Sequence, residues 1–403
     1  MKPTIKLLVT ISISFIFLSV YAKENQNPQW KGTIEEEDGV KVIKNPNEPL
    51  YGEITFDLEE DLSIGNKEDE NYMFYEEVNM GVDKDGNIFA LDQGNYRIQK
   101  YDRNGNYLQT IGRQGQGPGE FKDYFTFLYL DSDDNIYVLD NRRIHKFKSN
   151  GELIKTFNLF GLKISDQYRI TKEGNIIGET LTGYSSNIDL FNSEGKFVKT
   201  IATYHREGRN SSMKYKLPNF HEPRLLICDL DEELSVYGYS SEYKLFVINS
   251  SGDIVYKFEK DENPQPLTND DKERVLNRFM ERPMIRNWNR KFSRGEAKKA
   301  MNFPKYRPLF SDIIRDDRGQ IYVKRFRYSP GEDKVSHYDM FNKKGYYLYR
   351  VKIPVRFPLI KHGCIYSAEF NQDTGYAKIK CFKIKNWNRI KRGKKRAYLS
   401  ALF

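Results

Sequence analysis

The sequence predicts an all-β fold, a six-bladed β-propeller of four-stranded antiparallel blades. Three observations predict it. A pattern of short strands and tight turns returns along the chain. The glycine of one turn recurs at blade-like spacing. Tyr (28) and Phe (26) are abundant, as suits pleated, half-buried surfaces.

The clearest copy is Val82 to Gly112, VDKDGNIFALDQGNYRIQKYDRNGNYLQTIG. Turns at Lys84–Asn87, Gln93–Asn95 and Arg103–Asn106 separate β-like pieces. Asn-Gly and Asp-Gly form hairpin turns because both residues tolerate positive φ. Further copies run over Leu130–Phe157, Ile170–Ile201, Cys228–Phe258 and Ile313–Ile353, with a weaker one over Pro358–Trp387. The last-turn glycines are Gly105, Gly151, Gly195, Gly252 and Gly345, at steps of 46, 44, 57 and 93. The first two steps match a blade of roughly 40–50 residues, and the later two are a blade plus an insertion. A lone four-stranded sheet cannot bury both faces, so the blades must stack around an axis. The sixth copy lacks an outermost strand. Residues Glu53 to Ile64, EITFDLEEDLSI, are expected to supply it and close the ring.

Asp92-x-x-Asn95-x-Arg97-Ile98-x-Lys100-Tyr101-Asp102 and Gly112-x-x-Gly115-x-Gly117-Pro118-Gly119-Glu120-Phe121 resemble NHL repeats. Residues 53–387 resemble the bacterial secreted six-bladed β-propeller proteins with NHL-like, TolB-like blades. The resemblance implies a fold and little chemistry.

The ends read differently from the body. Lys2 and Lys6 precede an uncharged run from Leu7 to Val20, followed by Val20-Tyr21-Ala22. That is the pattern of a cleaved signal peptide over 1–22, too short to span a bilayer. The expectation is an exported chain (periplasmic, extracellular or cell-surface) with no transmembrane span after cleavage. Residues 23–52 read as an N-terminal extension and 388–403 as a basic tail. The net charge of +9 is concentrated at the ends. The six Lys/Arg of the tail and the two of the signal leave +1 for residues 23–387. A basic nucleic-acid-binding face is therefore not expected. Cys228, Cys364 and Cys381 are too few for a disulfide framework, although Cys364 and Cys381 flank one hairpin.

Strands within a blade alternate in direction. The a–b and c–d turns therefore share one face, and the b–c loops and d–a connections share the other. The first set is tight. The second is long at Gly112–Tyr124, Thr203–Glu222 and Glu259–Leu309, and long irregular loops on one face are where function is usually carried. The insertion 262–309 reads as helical. Thr268-Asn269-Asp270-Asp271 resembles a capping box, Val275, Leu276, Phe279 and Met280 form an apolar stripe, and Ser293-Arg294-Gly295-Glu296 opens a second helix. It carries twelve Lys/Arg against six Asp/Glu.

These readings select Arg97, Arg143, His205, His221, Lys305, Tyr306 and Arg325 as ligand-binding candidates near the long-loop face and channel. An inward arginine would bind carboxylate or phosphate bidentately. The sequence identifies no catalytic residues and leaves open whether the chain is an enzyme, a non-enzyme being favoured; no metal or other cofactor is expected. Ca²⁺ or Zn²⁺ is the alternative, with His205 and His221 as the best pair. Asp131-Ser132-Asp133-Asp134-Asn135 lacks the glycine and distal glutamate of a calcium loop and reads as a turn. The expected function is a monomeric binding or interaction scaffold for a protein, peptide or small molecule. The alternative is a metal-assisted lyase or hydrolase in the central channel.

Overall fold

The structure is a computed structural model that describes residues 28–122, 126–140, 143–158, 164–182, 185–205, 221–281, 293–301, 303–326, 335–356, 358–371 and 373–391. The expected signal segment and the tail beyond 391 lie outside the described residues. Six antiparallel sheets form a six-bladed propeller. Blade one comprises Val78–Val82, Ile88–Asp92, Arg97–Tyr101 and Tyr107–Ile111. The inner strands of the other blades are Thr126–Leu130, Ile164–Ile170, Leu225–Asp229, Phe310–Arg315 and Leu359–Lys361.

The turn sequences recur because each solves one hydrogen-bonding problem. Asp83 Oδ1 accepts from the backbone N–H groups of Asp85 (2.9 Å) and Asn87 (2.8 Å). Asp102, Asp131, Asp316, Asn192, Asn249 and Asn342 repeat the arrangement at equivalent turns. A short side chain thereby mimics a backbone turn. Asp131 is occupied in this way, as its reading as a turn residue required.

The c–d glycines do a second job. Gly345 has φ +83°, a region costly for residues with a Cβ. A Cβ there would stand 2.7 Å from Phe258, on the outer strand of blade four. Gly252 and Gly151 approach Ile201 and Ile111 on the outer strands of blades three and one. Gly105 of blade one approaches Leu62 in the same way, at 2.8 Å. Leu62 belongs to Leu58–Ile64, which pairs antiparallel with Tyr376–Ile384 as the outer strand of blade six. The N-terminal closing strand is therefore in place.

The closing segment differs in one respect from the expectation of a single strand. Glu53–Thr55 pairs in parallel with Tyr347–Ile353 of blade five, and only Leu58–Ile64 joins blade six. The residues read as an extension are also in the ring. Thr33–Glu37 and Val40–Asn45 form a hairpin, and the second strand pairs in parallel with Ile254–Lys260 of blade four. The chain thus crosses the outer edges of blades four, five and six before beginning blade one. Edge strands offer unpaired N–H and C=O groups, and this segment takes them up. Asn45 is the clasp between blades. Its Oδ1 accepts from Trp30 Nε1 (3.1 Å) and the N–H of Tyr347 (2.8 Å), and its Nδ2 donates to the carbonyl of Gly345 (2.8 Å). At the other end, Ile390 is buried in the blade four-to-six core, so the fold runs slightly past residue 387.

The core is distributed between blades. Separate apolar clusters lie between blades one and two (Phe89, Leu91, Ile136, Phe147), two and three (Leu139, Tyr168, Phe191), three and four (Ile188, Leu225, Ile248), and six and one (Val82, Tyr101, Ile379). A larger cluster spans blades four to six with the N-terminal segment. The helices α1 (Asn269–Glu281) and α2 (Arg294–Ala300) pack Val275, Leu276, Phe279, Ala297 and Met301 together in their own small core. Reciprocal bonds cap both helix starts: Thr268 with Asp271, and Ser293 with Glu296.

Two stability predictions follow from this packing. Gly345→Ala combines left-handed strain with overpacking on Phe258 and should lower unfolding free energy by about 2–4 kcal/mol. Asn45→Ala strands the Trp30 and Tyr347 donors and should cost about 3 kcal/mol. Urea denaturation of each variant checks both. A wild-type midpoint for Asn45→Ala would show that the N-terminal hairpin does not stabilise the ring.

Candidate functional site

The six inner strands run from the long-connector face to the tight-turn face and enclose a central cavity of about 610 Å³. Such a volume suits a small organic ligand. Much of its wall is apolar, with Val78, Met80, Val82, Leu128, Leu130, Ile313, Leu359 and Phe370.

Charge gathers at the tight-turn end. Each inner strand reaches its last residue there, just before its turn. In blades four, five and six those residues are Asp229, Arg315 and Lys361, and Arg169 lies one residue earlier in blade three. Arg315 Nε donates to Asp229 Oδ2 at 2.6 Å, and Arg169 Nε lies 3.2 Å from Asp229 Oδ1. The other Arg169 nitrogens donate to the carbonyls of Tyr168 and Ile227. Burial alone would raise the Asp229 carboxyl pKa. The Arg315 and Arg169 guanidiniums offset this and hold it below the usual value. Lys361 Nζ donates to the carbonyl of Val82. Its pKa is depressed, first by burial and then by Arg315. Burial pushes the neighbouring Cys228 thiol up to about 12, which removes it as a nucleophile at neutral pH. Higher in the channel, burial raises Asp312, and Lys324 opposes the shift from the paired position on the next strand.

The residues selected from sequence are not gathered into one site. Arg97 binds buried Asp92 (Nε to Oδ2, 3.3 Å) and the carbonyls of Glu70 (2.7 Å) and Met73 (3.1 Å). Arg143 does the same in blade two, with Asp140 and the carbonyls of Gln116 (2.9 Å) and Glu120 (3.3 Å). Each fastens a b–c corner to the segment leading into its blade. Arg325 joins a buried network: it binds Glu262 (2.6 Å) and Asp339 (3.2 Å), and Asp339 also accepts from Lys260, Tyr243 and Tyr347. Lys305 and Tyr306 are exposed in the insertion beyond its second helix, with the Lys305 ammonium 5.0 Å from the Tyr306 ring centroid. His205 ends the outer strand of blade three. His221 is fully buried and meets Phe326 edge-on at 5.2 Å. Burial, then Arg307, lower its pKa against the pull of Asp271, to about 4.

Arg169, Asp229, Arg315 and Lys361 were not selected from the sequence. The available signal is modest: a charged residue closing an otherwise apolar strand, as in LLICD, FSDIIR and LIK. Three of the described basic residues of the insertion face acids: Arg294 and Lys298 bind Glu273, and Arg307 binds Asp271 at 2.7 Å. Among the described residues, no three or more His, Cys, Asp or Glu side chains converge as a metal site would need.

Residues 81–174 match the model of a family described as DUF5128, 6-bladed beta-propeller. The match spans blades one and two and the opening of blade three. Among solved structures, the chain is similar to a member of the DUF4221 family from Bacteroides vulgatus. Identity is 14%, TM-score 0.50, and coverage 82% of this chain and 98% of that one. A Bacteroides fragilis protein provisionally described as exported matches at 10% identity and TM-score 0.49, over 85% and 99%. Virginiamycin B lyase from Staphylococcus aureus matches at 13% identity and TM-score 0.40, over 81% and 99%. No curated protein sequence matches the chain. At these identities the likeness bears on the fold alone.

His221 supplies a pH prediction. In the unfolded chain it protonates near 6.5, and in the folded protein only near about 4. The unfolded state therefore binds more protons across this window, and acidification favours unfolding. Lowering pH from 6.5 to 4 should cost about 3 kcal/mol through this residue. His221→Phe should flatten that part of the stability–pH curve, measured by urea denaturation at several pH values. An unchanged slope would rule the assignment out.

Proposed function

We propose that this chain is an exported binding scaffold whose ligand seats in the central channel. The observation that carries the reading is the 610 Å³ cavity lined by inner strands, apolar along its wall and charged at one end. Apolar lining with a few convergent polar groups is the usual constitution of a small-ligand site. Export is supported by the lysine-then-apolar pattern of residues 1–22. No helix among the described residues is long and apolar enough to cross a membrane. The long connections are expected to govern entry rather than to form the seat. Partner identity at that face is left to the ligand that the channel selects.

The test is a thermal-shift screen of metabolites, sugars and short peptides on the mature chain, followed by mass analysis of each hit. At least one compound should raise the melting temperature and be recovered chemically unchanged. Met80→Trp, which fills the channel wall, should abolish the shift, and Phe197→Ser on an exposed outer strand should not. Hits insensitive to Met80→Trp would overturn the channel as the seat. Conversion of a hit to product would overturn the scaffold reading.

A further inference from the structure

We propose that Cys364 and Cys381 are a redox-reactive thiol pair, a modification site at which a low-molecular-weight disulfide closes an intramolecular cross-link across blade six. The register of the blade brings the two together. On the adjacent strands Cys364–Asn371 and Tyr376–Ile384, Cys364 pairs with Lys383 and Tyr366 with Cys381. The cysteines are therefore diagonal neighbours on one face of the sheet. The N–H of Ile384 donates to the carbonyl of Gly363 at 3.0 Å. Bonded and non-bonded pairs alternate along an antiparallel ladder, so both cysteine-bearing pairs are of the non-hydrogen-bonded kind, in which side chains stand closest.

Diagonal neighbours stand about 7–8 Å apart, just beyond the about 4.4–6.8 Å between Cα atoms that a disulfide spans. Twist shortens this diagonal. A β-bulge where Cys381 and Phe382 meet the closing strand increases the local right-handed twist. Cys364 is the first residue of its strand, directly after the turn at His362 and Gly363 (φ +55° and +72°). The thiols reach each other, with the Cys381 S–H donating to the Cys364 sulfur. That bond holds the Cys364 thiol below its usual pKa, against burial and Asp61, and Lys383 directly opposite adds to it. The same bond, then burial, raise Cys381. Strain left in a diagonal bridge makes it easy to reduce, so the cross-link is reversible.

The two thiols differ in access, which divides the roles between them. Both line a cavity of about 760 Å³ at the tight-turn face between blades six and one, with His362, Tyr366 and Lys383. Cys364 is half-buried, and Cys381 is 4% exposed. An incoming disulfide therefore meets Cys364 first. The Cys364 thiolate attacks one of its sulfurs, forms a mixed disulfide and releases one thiol. Cys381 then loses its proton to solvent and attacks the Cys364 sulfur, which displaces the second thiol. The pair gives up two electrons and two protons, and the incoming disulfide becomes two thiols. Cys228, buried and with its thiol pushed up to about 12, takes no part.

The test treats the reduced, folded mature protein with the aromatic disulfide dithiobis(nitrobenzoic acid). Wild type should release two equivalents of the coloured thiol per chain and retain no reagent. Its mass should fall by two hydrogens, and a non-reducing digest should show Cys364 joined to Cys381. Dithiothreitol should restore both thiols. Cys381→Ala should release one equivalent and keep the reagent on Cys364. Cys364→Ser should react roughly tenfold more slowly or more, because the thiols left to it are buried. Matching melting temperatures will show that the variants fold, and the wild-type mass decides the question without them. A wild-type adduct that persists with no Cys364–Cys381 cross-link, or a Cys364→Ser rate equal to that of wild type, would overturn the proposal.

Discussion

Ring closure is the constraint on which the rest of the molecule depends. A blade is a sheet with two apolar faces, and each face is buried only against another blade. The clusters between successive blades therefore exist only if the ring is complete, including the one between blades six and one. Leu58–Ile64 completes it by pairing with Tyr376–Ile384. The strand is far from its partner in sequence, so closure joins chain ends through a long loop and stabilises every interface at once. The preceding residues extend the same logic outward, with strands laid along blades four and five. Asn45, buried at the seam, ties Trp30 to the backbone of blade five.

Packing between neighbours also explains the regular turn glycines. A turn of one blade lies against the outer strand of the blade before it, so positive φ and a missing Cβ are demanded together. Gly105 against Leu62 shows that the closing strand occupies the place that Ile111, Ile201 and Phe258 occupy elsewhere. The Asp–Arg corners belong to the same economy of repetition. Asp92 with Arg97, and Asp140 with Arg143, fasten blades one and two to the segments that enter them. Their charges and carbonyl contacts are spent on that task.

The channel follows a different rule. Its walls come from six strands distant in sequence, and Arg169, Asp229, Arg315 and Lys361 lie at or next to the ends of four of them. Asp229 is bracketed by arginines from the blades on either side, so the triad ties three inner strands together. Lys361 adds a cation without adding an acid. The long-connector face carries a helical insertion in which Arg294, Lys298 and Arg307 are paired with acids of the insertion itself. Loop length drew attention to that face, and desolvated charge draws it to the opposite end of the channel.

What the sequence determined by itself was the architecture: the blade count, the two faces, the helical insertion with its caps, and an N-terminal closing strand. Each is a local pattern, repeated at a period that stacking requires, and local patterns are legible in one dimension. It did not separate Glu53–Thr55 from Leu58–Ile64, because both are β-like and only the outer edges of blades five and six distinguish them. Nor did it show that residues 33–45 join blade four. Tertiary structure alone decided the chemistry. Arg97 and Arg143 were selected as isolated charges near loops, yet the fold closes carbonyls around them. Arg169, Arg315 and Lys361 lie at or next to the ends of ordinary strands, yet the ring brings them together at one end of the channel. A charge acquires its meaning from the groups that surround it, and here those groups come from three other blades.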